Sequence, residues 1–132
     1  MDTNYEIFGD PNSQLLPNKM IPIPYQTVNW NNIETTIYPG KRGKATWRTL
    51  NYDGLRVRMV EYSPGYVADH WCEKGHILFC IKGELKTELA DGSIHMLKSN
   101  MSCHVSDQKS RHKSSTDEGA ILFIVDGEFL NR

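Results

Sequence analysis

The stretch "GYVADHWCEKGHILFCIKGE", residues 65–84, reads as two β-strands, 66–72 and 76–81, parted by the turn "EKG". Aromatic and β-branched residues dominate both runs, and glycine-bearing turn signals bound them. In an extended strand residues two apart share a face, so His70 and Cys72 point one way, Asp69 and Trp71 the other. His76 opens the next strand beside Cys72. Two imidazoles and a thiol within seven positions are donors suited to zinc and its transition-metal neighbours.

The same strand-and-turn rhythm continues on either side. Strands are expected at 45–50, 55–62, 85–90, 94–97, 101–106 and 120–126, with "DG" at 91–92 as a two-residue hairpin signal. "DQKSRHKSSTDEG", residues 107–119, reads as a polar loop. No segment carries a helical period beyond two turns, so many short strands predict an all-β sandwich or small barrel. Residues 1–20 are rich in Asn, Pro and Asp without periodicity. They are expected to form an extension, flexible or packed on the surface or a partner, ahead of one domain over 21–132.

The 132-residue chain suffices for one domain with its own core. Its net charge of −1 gives no electrostatic footprint for nucleic acid. No apolar run reaches the roughly 20 residues of a membrane span, and no basic start with an apolar stretch marks a signal peptide. A cytoplasmic location is the expectation. Three cysteines, Cys72, Cys80 and Cys103, are an odd number for a disulfide framework, so reduced thiols are expected.

The spacing resembles the first motif of the cupins, G-x5-H-x-H-x3or4-E-x6-G. Here Gly65, His70, Cys72, His76 and Gly83 follow it with one residue fewer after the first glycine. Cys72 replaces the second histidine and His76 the glutamate. "ADHWC.KGH" is similar to the small bacterial DHCW-motif cupins, with Asp69, His70, Trp71 and Cys72 supplying the named residues. The second cupin motif, G-x5-P-x-G-x2-H-x3-N, is weakly kept from Asn100 onward, without its proline and second glycine, and His112 arrives one residue late. The resemblance implies a single-domain jelly-roll β-barrel, a monocupin. It also implies one divalent metal held by His70, Cys72, His76 and His112, and a homodimer.

A cysteine ligand among imidazoles points to zinc, with iron, nickel and copper as alternatives. The resemblance then implies a metal-dependent enzyme acting on a small polar molecule, or a non-catalytic cupin that senses or binds a metal or small molecule. Cys72 can also be read as an unligated pocket residue, or as a nucleophile paired with His70 or His76. Asp69 and Glu73 are placed to support ligands by accepting an imidazole N–H. His95 reads as a surface side chain and Cys80 as a small core residue. Arg56 and Arg58 alternate with Leu55, Val57 and Met59; they face either solvent or the barrel interior, where they would bind an anion. Trp47, Tyr66 and Trp71 read as packing residues.

Overall fold

The computed structural model describes residues 23–131. The expected extension at 1–20 lies outside the described residues. Eight antiparallel strands follow one another: β1 (Thr35–Pro39), β2 (Lys44–Tyr52), β3 (Leu55–Tyr62), β4 (His76–Leu89), β5 (Ile94–Lys98), β6 (Ser102–Val105), β7 (His112–Ser115) and β8 (Ala120–Gly127). Short 3-10 turns at Trp30–Asn32 and Glu128–Leu130 flank them.

One sheet runs β1–β2–β3–β8–β4–β6, and only the first half of β4 belongs to it. The second half of β4 joins another sheet, between β5 and β7. Residues 66–72 extend that second sheet beyond β7 through bridges Val67↔Ser115 and Cys72↔His112. The two sheets face each other across the core, and β4 passes from one to the other. The fold is therefore the all-β jelly roll expected from the sequence.

The passage of β4 has a local cause. Its register with β8 slips between Cys80 and Lys82, a bulge that bends the strand. Gly83 follows with φ +85°, and a Cβ there would collide with the Gly119 carbonyl. Only glycine fits both the left-handed backbone and the contact. The sequence predicts a strand end at "KGE", but the chain instead turns a corner there and continues as a strand to Leu89.

Alternation sets the core. In β8, Ala120, Leu122, Ile124 and Asp126 are buried, and Val60, Leu78, Cys80, Leu85 and Leu97 meet them from the other strands. Cys80 is fully buried, as expected for a small core residue. The opposite face of the first sheet is also apolar, with Ile77, Phe79 and Ile81 partly exposed along β4. Trp30 lies edge-on to Phe123, their ring centroids 6.2 Å apart.

Two strands were not expected. β1 occupies "TTIYP", and β7 lies inside the segment read as a polar loop. Conversely, 66–72 makes ladder contact only at Val67 and Cys72 and bends at Asp69 and His70.

Gly83→Ala is expected to destabilise the protein by about 3 kcal/mol, since it adds a backbone clash to left-handed strain. Gly92→Ala, where φ is +92° but nothing lies within 4 Å of the added Cβ, should cost only about 1 kcal/mol. Equal urea midpoints for the two variants would refute the corner role.

Candidate functional site

A cavity of about 430 Å³ opens between the sheets, and its lining includes Trp47, Arg58, Cys72, His76 and His112. Backbone pairing places the first two donors. Cys72 and His112 exchange both amide bonds, N–H to O at 2.8 and 3.0 Å. Residues paired in this way carry their side chains on one side, so the thiol and the imidazole share the cavity wall. His76, at the start of β4, brings its ring to 4.9 Å from that of His112, at 60°.

His112 is buried, and its Nδ1 lies 2.9 Å from the Ser110 carbonyl oxygen. A carbonyl only accepts, so Nδ1 carries a proton, and in the neutral imidazole Nε2 presents the lone pair. Nε2 is buried and has no hydrogen-bond partner among the described residues. The nearby Cys72 thiol pushes the His112 imidazole up, and His112 in turn holds the thiol below its ordinary value despite burial. The direct side-chain contact between the two groups is the main cause of both shifts, although its geometry falls short of a formed hydrogen bond at Nε2.

His76 behaves differently. Burial, then the neighbouring His112 and Arg58, bring its pKa down to about 4, so it is a neutral imidazole at neutral pH. His70 stands apart at the cavity rim. Its side chain is 74% exposed and its Nδ1 lies 2.6 Å from Asp69 Oδ1. The bend at Asp69–His70 removes the strand alternation that would have set His70 beside Cys72.

The structure thus brings Cys72, His76 and His112 to one wall and leaves His70 at the rim. Among the described residues, no three His, Cys, Asp or Glu side chains are grouped closely enough to form a metal site as they are placed. The donors still suit a metal in kind: two imidazole nitrogens, one of them without a hydrogen-bond partner among the described residues and with Nδ1–H fixed on the Ser110 carbonyl, and a thiol with a lowered pKa.

Below these donors lies a group that sequence reasoning left undecided. Asp126 is 1% exposed. Its Oδ1 accepts from Arg56 Nε at 3.0 Å, and its Oδ2 accepts from Arg56 Nη2 at 2.9 Å and Arg58 Nη2 at 3.0 Å. Burial raises the Asp126 carboxyl, but the two guanidinium groups outweigh it and hold the group below the usual range. The Arg58 guanidinium lies 4.2 Å from the Trp47 ring centroid, and Tyr38 packs on the same indole at 4.5 Å. Both arginines therefore face the barrel interior. The signal was present in their parity with Val60 and Tyr62. It was ambiguous because both faces of this sheet are apolar.

Of the remaining candidates, Tyr66 and Asp69 also line the cavity, whereas His95, Trp71 and Glu73 do not. His95 is exposed, near Ser93 Oγ. Trp71 is flanked by Arg111 and Lys113, each 5.8 Å from its ring. Tyr66 stacks on Tyr62 at 4.2 Å, the rings 5° from parallel. Glu73 pairs with Arg111, Nε to Oε2 at 3.3 Å, and Asp69 is the carboxylate beside His70.

No protein-family model matches the chain, and no curated protein is similar to it. Solved structures do match. An RmlC-like cupin from Shewanella frigidimarina aligns with TM-score 0.60 at 18% identity, over 79% of this chain and 91% of its own. A sugar phosphate isomerase of the cupin superfamily from Silicibacter pomeroyi aligns with TM-score 0.62 at 16% identity, over 78% and 76%. The polyketide cyclase RemF from Streptomyces resistomycificus aligns with TM-score 0.66 at 15% identity, over 79% and 80%. At these identities the likeness shows the fold, which is that of the cupins.

The depressed His76 pKa links folding to pH. The unfolded chain binds this proton near pH 6.5 and the folded chain only near 4. The stability it contributes is therefore complete above pH 6.5 and lost as pH falls through that window, by up to about 3 kcal/mol. His112, raised instead, acts only above pH 6.5 and with opposite sign. Chemical denaturation of metal-stripped protein at pH 7 and pH 4.5 should show the loss, and His76→Gln should reduce it. An unchanged slope in the variant would exclude His76 as its source.

Proposed function

We propose that this chain is a metal-binding cupin of the DHCW-motif kind, with Cys72, His76 and His112 as ligands and His70 as the fourth donor from the rim. The observation that carries the reading is the buried Nε2 of His112, which has no hydrogen-bond partner among the described residues and whose opposite nitrogen is fixed by the Ser110 carbonyl. An unsatisfied buried nitrogen lone pair is unfavourable, and a soft divalent ion would satisfy it. Zinc is the first choice for two or three imidazoles with one thiolate; iron, nickel and copper accept the same donors.

The reading extends to a metal-dependent enzyme acting on a small polar molecule. When bound, the ion would polarise a substrate oxygen as a Lewis acid. The chain's own residues supply the rest. Ser110 holds the His112 proton, Trp47 with Tyr38 shapes one wall, and the two sheets shield the cavity from bulk water. While Asp69 holds His70 at the rim, the fourth position stays open to substrate and closes only when His70 joins the set; that open arrangement favours catalysis over the alternative of a non-catalytic sensing or binding cupin. The names of the isomerase and cyclase neighbours are in keeping with a catalytic role. The partly exposed row Ile77, Phe79 and Ile81 supports pairing of two copies through the outer face of the first sheet.

Elemental analysis of purified protein should find about one transition metal per chain. His76→Ala and His112→Ala should lose most of it, whereas His95→Ala should retain it. Equal retention in all three variants, or protein that refuses zinc, iron, nickel and copper, would end the metal reading.

A further inference from the structure

The inner face of the first sheet carries two guanidinium groups for one carboxylate. Arg56 spends its Nε and Nη2 on Asp126 as a two-point pair, whereas Arg58 gives Asp126 a single Nη2 bond. Arg58 is 7% exposed, and its Nε has no partner among the described residues. A charge this deep is unfavourable unless paired, and Asp126 is already matched by Arg56. Arg58 lines the cavity, so the side chain borders the space a ligand would enter, although Nε itself is enclosed.

Apart from Arg56, the other charged side chains lining the cavity are Asp69 at the rim against Lys74 and Lys113, so the wall does not cancel that charge. The surroundings of Arg58 are apolar: Trp47 lies beneath it, and Leu78, Ile124 and Ala45 line the same cavity. Arg58 sits on β3 and His76 on β4, with β8 between them and His76 two residues beyond Leu78, which lies level with Arg58, so their backbones are roughly 12 Å apart. One small molecule can span that gap.

We infer that Arg58 receives the carboxylate of a small organic acid, whose less polar body lies against Trp47 and whose other end reaches Cys72, His76 and His112. A guanidinium fork matches a carboxylate in shape. Arg58 is the one buried guanidinium left over from the two-point Arg56–Asp126 pair, and one such cation amid apolar walls matches a monoanion better than a phosphate dianion. This deepens the proposed function by naming its ligand class, and it rests on the same reading of the cavity as the ligand site. It does not depend on which metal is bound.

The test is calorimetric titration of the purified full chain with benzoate, phenyl phosphate and benzamide, beside elemental analysis of the same sample. Benzoate should bind at least tenfold more tightly than the other two. Arg58→Gln should weaken benzoate at least tenfold, and Lys98→Gln, an exposed change outside the cavity, should leave it unaltered. If Arg58→Gln does not fold, Arg58→Lys serves instead: it keeps the charge, loses the fork, and should still weaken benzoate several-fold. Failure of benzoate to bind, equal binding of benzamide, tighter binding of phenyl phosphate, or unaltered binding in the Arg58 variants would overturn the inference. Loss of benzoate binding with metal retained would sink this inference alone. Benzoate binding by metal-free protein would uphold it and remove only the metal reading.

Discussion

A buried carboxylate keeps its charge only where cations meet it, and Asp126 meets two. The contact joins β8 to β3 across their register and ends the apolar row of Ala120, Leu122 and Ile124 with an ion. That boundary divides the barrel interior. On one side Val60, Leu122 and Cys80 close against the second sheet as a dry core. On the other, the guanidinium groups, the indole of Trp47 and the His76–His112 pair hold a space open. Without the ion group the apolar row would run on, and the two sheets could close there as they do elsewhere.

The donors above that floor depend on backbone pairing more than on their own sequence spacing. Cys72 and His112 are forty residues apart, yet two amide hydrogen bonds set them opposite each other. The turn before His76 is held by the adjoining loop, where the Gly75 N–H donates to Asp107 Oδ1 at 2.6 Å. A Cβ on Gly75 would press into the backbone of Val105 to Asp107. The segment 105–112, polar in composition, thus braces both histidines that face the cavity.

Much of the fold was legible in turn chemistry and alternation. "LRVRMVEY" gives β3 with the observed bounds, and "DG" gives the hairpin from β4 to β5. β7 was hidden because "HKSS" has no apolar signature; its partners in β4 make it a strand. The corner at Gly83 was read as an end because glycine marks a stop and a bend in the same way. Among the site residues, Cys72, His76 and His112 were found through motif spacing. His70 was placed by an alternation that its local bend does not obey. The arginines could not be oriented, because a sheet apolar on both sides gives alternation no preferred direction.

β4 is a member of both sheets, so neither can come apart while the other persists. Fourteen residues, His76–Leu89, touch β5, β6, β7 and β8 in turn, and most of those partners are distant in sequence. A chain wired through one shared strand should open all at once rather than leaf by leaf. Its assembly must also wait for long-range encounters, which makes for slow folding. The same strand that carries His76 at one end is the hinge pin of the barrel, tying the integrity of the cavity to that of the whole molecule.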